Sequence, residues 1–228
     1  MTASIGNSVV TDTKEKNHEN LNCFSFLVAW MTGWIAICMA CLYQPFMELW
    51  VGKEHMLPNM DMILFCVYFY VINMNNIRNQ YVNGTGIWWN LRKSNVFESI
   101  GNLSLNIILG KYFGITGVLL ATIITIVVFN FLWRTNVLFK TYFKGLSLNS
   151  FYRNHISWIV GILIAAVPTY TICNLISGKA FVKMIINGGI CLILPNIILF
   201  LIFYKTKHFQ NAKIFLHRFI KSFGRKMK

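Results

Sequence analysis

The sequence predicts an all-α integral membrane protein of about six transmembrane helices. Composition is the first observation behind this: 56% of residues are hydrophobic, 12% are charged and the mean hydropathy is +0.54. That is too apolar and too poor in charge for an ordinary soluble domain. The second is a series of stretches approaching the roughly 20 apolar residues that a bilayer core requires. The third is the placement of cations, which alternates from loop to loop.

Residues 1–20 are polar and mildly acidic after a short apolar opening, unlike a secretory signal, and are expected to be a cytoplasmic, loop-like segment. The transmembrane domain is expected over 21–204, with spans near 23–43, 60–80, 95–112, 114–134, 157–177 and 182–204. The stretch 95–112 is the least apolar of these, because Glu98, Asn102 and Asn106 recur at i, i+4 and i+8 and stripe one helical face. Such a face is costly against lipid and normally looks into a bundle or a wet cavity, which makes it a candidate pathway wall. Residues 205–228 form a basic tail in which apolar residues are interleaved with eight cations. It reads either as an amphipathic helix on anionic lipid or as a solvated segment that fixes topology.

Lys and Arg fall 17 to one side of these spans and 4 to the other. By the positive-inside rule both termini are cytoplasmic. Trp50, Trp88, Trp89, Trp133, Tyr152, Trp158 and Tyr204 fall at expected span ends, where amphipathic rings suit the headgroup region. Gly110 with Gly114, and Gly117 with Ala121, are small-residue steps that let helices approach closely. Pro168 and Pro195 fall inside the last two spans, where they free backbone carbonyls and favour kinks.

The net charge of +14 does not point to nucleic acid, because the cations flank spans and no soluble domain organises them. Cys38 and Cys41 have redox spacing but lie within an apolar span, as do most other cysteines, and are expected to pack as small hydrophobes. The histidines are scattered, so no metal set is expected, and no cofactor. No hydrolase, zincin or nucleotide-binding motif is present, and an enzyme is not expected.

The order of three segments carries a resemblance. ASIGNSVVTDTKEKNHE at 3–19, PFMELWVGKEHMLP at 45–58 and NVFESIGNLSLNIILGKYFGITGVLLAT at 95–122 together resemble the carboxyl-terminal part of polysaccharide flippases. These belong to the multidrug, oligosaccharidyl-lipid and polysaccharide exporter superfamily. The resemblance covers residues 3–140, and beyond them only hydropathy and charge continue it. It implies part of a two-lobe helical bundle in a bacterial inner membrane, moving an undecaprenyl-diphosphate-linked oligosaccharide unit to the outer leaflet for capsule or surface polysaccharide. The chain is shorter than such a transporter and is expected to be a fragment of one. The partners implied are membrane lipids, the polyprenyl-diphosphate-linked cargo, and either a polysaccharide polymerase or the missing first lobe.

For that cargo, Arg78, Arg92, Lys93 and Arg134 sit at cytoplasmic span ends, where paired donors and point charges suit a diphosphate. Setting topology is the competing role of each. Asn73, Asn76 and Gln80, joined by Asn102 and Asn106, are candidates for hydrogen bonding to sugar hydroxyls, against interhelical packing. Asn130 and Arg134 are one turn apart and read as a capping pair or as cavity-facing groups. Glu98 is a proton site, a partner for Arg92, or neither. A cavity for cationic drugs would want more carboxylates than this chain has. A non-transporting membrane scaffold or a subunit of a membrane glycan-assembly enzyme is the alternative function.

Overall fold

A computed structural model describes residues 2–226, with side chains described from Ile5 to His217. It contains helices and no strand among the described residues. Two polar helices open and close the chain: α1 (Thr2–Thr11) and α8 (Lys207–Lys226). Between them lie α2 (Lys14–Trp50), α3 (Asn59–Thr85), α4 (Trp88–Thr125), a π-helical stretch (Ile126–Arg134), α5 (Thr135–Thr141), α6 (Leu148–Leu175) and α7 (Ala180–Phe203). Five helical stretches are long and apolar enough to cross a membrane, the longest being Trp88–Thr141, in which α4, the π stretch and α5 run together. This is the make-up of a multi-pass membrane protein.

The 54-residue stretch is not straight. Gly114 has φ +58° and ψ −132°, and the chain reverses there. Residues on the two sides then meet: Phe97 stacks on Trp133 with ring centroids 5.6 Å apart, and Asn102 Nδ2 donates to Thr125 Oγ1 at 3.0 Å. Gly117 permits the turn, because a Cβ there would run into the carbonyl of Leu109. The result is an antiparallel hairpin, with residues 88–113 as its first arm and residues 115–141 as its second.

Helix α2 is the axis of the remainder, touching α3, α6, α7 and α8, while the hairpin is held through α3. Phe26 of α2 makes edge contacts with Trp158 of α6 and Phe203 of α7 at 5.7 and 5.6 Å. Gly161 of α6 gives Phe203 the room to approach. In lipid such close fitting supplies the association energy, since the membrane is as apolar as the packed side chains. Outward faces are correspondingly greasy: Ile100, Leu103 and Ile107 on the hairpin, Leu163 and Val167 on α6, and Ile193 and Leu201 on α7 are all exposed. Pro45, Pro168 and Pro195 are carried within continuous helices.

Of residues 1–20, expected as a loop, Thr2–Thr11 and those from Lys14 onward are instead helical, in α1 and in the first turns of α2. Asn17 and Ser8 tie the two helices together, while Asn7, Thr11, Lys14, Glu15 and Glu19 stay exposed. Asn17 is fully buried, and its Nδ2 donates to the Ser8 carbonyl at 2.8 Å and to the Tyr142 hydroxyl at 3.0 Å. Thr13 caps α2, accepting from the Lys16 N–H at 3.3 Å. The Lys16 ammonium, 2.6 Å from Asp12, holds that carboxyl below its usual range. The tail expected over 205–228 is helical from Lys207, and its first turns dock on α2 through Phe209 against Trp30 and Phe215 against Phe24.

Candidate functional site

The polar stripe of the first hairpin arm meets a polar stripe of the second. Glu98 lies between two partners: Arg134 Nη2 is 2.6 Å from its Oε2, and Asn130 Nδ2 donates to its Oε1. One turn along, Asn102 donates to Thr125, and Asn106 Nδ2 donates to Asn102 Oδ1 at 2.9 Å. Of the alternatives left open by the sequence, the structure pairs Glu98 with Arg134 and Asn130 and not with Arg92, and engages Asn130 and Arg134 with Glu98 and not as a capping pair. Both residues of the second arm bind Glu98, and the Arg92 guanidinium lies over the Trp89 ring at 4.1 Å. The hairpin register decides this, because i and i+4 positions on one arm face i and i+4 positions on the other.

The π-helical stretch Ile126–Arg134 holds both Asn130 and Arg134. The Leu132 carbonyl accepts from the Thr135 N–H and also from the Tyr152 hydroxyl at 3.0 Å, which ties α6 to this stretch.

Arg78 of α3 faces this end of the hairpin. It is 1% exposed, its guanidinium carbon lies 5.4 Å above the Phe131 ring, and Nη2 donates to Asn75 Oδ1. Among the described residues its Nε and Nη1 have no hydrogen-bond partner, and neither has Asn75 Nδ2 nor Arg134 Nε. Arg134, Glu98 and Tyr152 are close enough to act on it electrostatically. Two guanidinium groups against one carboxylate leave an uncompensated positive charge with buried, unused donors. Buried polar groups ordinarily find partners, and an orphaned guanidinium is an expensive exception. A planar fork with free N–H groups is suited to an oxyanion such as phosphate.

The other expected residues stand apart. Arg92 and Lys93 are exposed. Asn73 Nδ2 donates to its own helix at the Phe69 carbonyl, 2.8 Å away, and Asn76 is exposed. Gln80 keeps a buried Oε1 without a hydrogen-bond partner among the described residues. Asn75, Phe131 and Tyr152 also belong to the site; from the sequence Tyr152 reads only as a span-end aromatic, Asn75 only as a neighbour of Asn73 and Asn76, and Phe131 gives no signal. Asn75 lies three residues before Arg78, a spacing that places the two on neighbouring positions of one face. At the opposite end of α3 the buried Asp61 accepts from the Thr116 hydroxyl, tying α3 to the hairpin turn.

No protein-family model matches this chain, and no curated protein and no solved structure shows significant similarity to it.

Proposed function

We propose that the chain is the carboxyl-terminal part of a flippase for a polyprenyl-diphosphate-linked oligosaccharide, with the hairpin arms counted as two of six crossings and both termini cytoplasmic. The observation that carries this reading is the buried Arg78 with two unpartnered guanidinium nitrogens beside the Glu98–Arg134 pair. Such a group receives the diphosphate, while the Asn75 Nδ2 amide, also without a partner among the described residues, donates to a neighbouring oxygen. An apolar groove of about 430 Å³ between α2, α3 and α6, floored by Gly33, Ala36 and Ala40, offers the isoprenoid tail a surface. Alternating access needs one bundle rocking against another, a role that falls to a further lobe or to a second copy.

Complementation tests the reading. In a bacterium lacking its polysaccharide flippase, the chain co-expressed with the complementary lobe of such a transporter is expected to restore surface polysaccharide. The Arg78→Gln variant, at equal membrane abundance, is expected to leave the lipid-linked unit accumulating. Unchanged export by Arg78→Gln removes the residue from the pathway and with it the main support for this function.

A second reading has its own observation. Glu98, Asn102 and Asn106 are engaged across or along the hairpin, as in a packing device. A non-transporting membrane scaffold or a glycan-assembly subunit would need no more than that, and would leave the Arg78→Gln variant without an export phenotype.

A further inference from the structure

Toward the end of the bundle opposite Arg78, three helices each bring one cysteine to a common point. The sulfurs of Cys41 (α2), Cys173 (α6) and Cys191 (α7) all lie within 4.8 Å of one another, and those of Cys173 and Cys191 are 4.0 Å apart. All three residues are buried, and none is in a disulfide. Three thiolates bound in a plane around one ion at about 2.3 Å would stand about 4.0 Å apart. The native spacing is thus within a small side-chain adjustment of trigonal coordination.

The surroundings hold these side chains in place. The Trp34 indole N–H donates to the Cys191 carbonyl at 2.8 Å, and the fully buried Asn187, one turn before Cys191, donates to the Cys41 carbonyl at 3.4 Å. Asn187 Oδ1 itself has no hydrogen-bond partner among the described residues. Cys38, one turn before Cys41, places a fourth sulfur 3.8 Å from the Cys191 carbonyl. Fixed backbones of this kind orient metal ligands. The Cys-x-x-Cys spacing, unremarkable along the sequence, becomes one wall of a thiol cluster.

We propose that Cys41, Cys173 and Cys191 form a binding site for a soft, thiophilic cation of the Cu(I) class. Thiolates select such ions, and a monovalent ion suits an apolar setting better than a divalent one. Cu(I) held by two thiolates and one neutral thiol releases two protons on binding and carries a net charge of −1. Lys183, on α7 and close enough to Cys173 to act on it electrostatically, balances that charge. The site is independent of the function proposed for Arg78.

The test uses the purified full chain in detergent, reduced and anaerobic, titrated with Cu(I) buffered by a chromogenic Cu(I) chelator. One Cu(I) per chain is expected, with an ultraviolet thiolate-to-copper charge-transfer band and a raised melting temperature. X-ray absorption should show three sulfur neighbours. Cys173→Ser and Cys191→Ser should each weaken binding by at least about a hundredfold, the upper range for losing even an outer-shell partner. Cys23→Ser, which changes a buried cysteine outside the cluster, should bind like the natural chain. Absence of binding, fewer than three sulfur neighbours, or undiminished binding by a folded Cys173→Ser or Cys191→Ser protein would overturn the proposal. Should the serine variants fail to fold, the sulfur count of the natural chain decides alone.

Discussion

Glu98 and Arg134 stand 36 residues apart in the chain and 2.6 Å apart in space, clamping the open end of a hairpin whose closed end is Gly114. The pair is only partly exposed, at 18% and 22% of its side-chain surfaces. Replacing Arg134 by Gln strands a carboxylate that keeps only Asn130. A loss of roughly 1 to 4 kcal/mol is expected, between the values for exposed and buried pairs. Thermal unfolding in detergent measures it. The double variant with Glu98→Gln should recover part of the loss, because the stranded charge is then gone.

Gly117→Ala tests the hairpin turn. The added methyl group meets the Leu109 carbonyl, so the arms must separate. Overpacking of this kind costs about 1 to 3 kcal/mol. Gly188→Ala, where a Cβ meets open space, should be neutral or slightly stabilising in the same melting experiment.

Asn17→Ala removes the hinge of the amino-terminal corner. The Ser8 carbonyl and the Tyr142 hydroxyl lose their shared donor. A destabilisation of about 1 to 3 kcal/mol is expected. Faster proteolysis within α1 should accompany it.

The docking of α8 is expected to depend on pH. His208 lies against the edge of the Trp158 ring, 5.5 Å between centroids, and burial pushes its imidazole below the ordinary value, with Lys207 adding in the same direction. The docked form therefore favours neutral His208. Its contribution is complete above the undocked value of about 6.5 and is lost as pH falls through that value toward the lower, docked one. Amide hydrogen exchange in α8, corrected for intrinsic rate, should accelerate between pH 7 and pH 5, and His208→Phe should abolish that dependence.

Much of this arrangement is legible along the chain. Composition and cation placement read as a multi-pass helical protein, and the i, i+4, i+8 spacing puts Glu98, Asn102 and Asn106 on one face. What that face meets is not legible, because Thr125, Asn130 and Arg134 become its partners only through the hairpin register set at Gly114 and Gly117. The α1 helix escapes a hydropathy reading, since it is held by the contact of Ser8 with Asn17, a residue of the next helix. Arg78 stands out as a cation near an apolar span, but its orphaned nitrogens depend on Phe131 and Tyr152 from two other elements. The cysteine cluster is hidden for the same reason, being assembled from three helices that are distant in sequence.

The most direct measurement of the central claim is binding of undecaprenyl diphosphate to the purified chain in lipid nanodiscs by native mass spectrometry, with undecaprenol as the phosphate-free control. The diphosphate is expected to bind in preference to the alcohol, and Arg78→Gln to erase that preference while leaving the melting temperature near that of the natural chain or above it. Equal binding of both lipids, or an Arg78→Gln protein that still prefers the diphosphate, would contradict it.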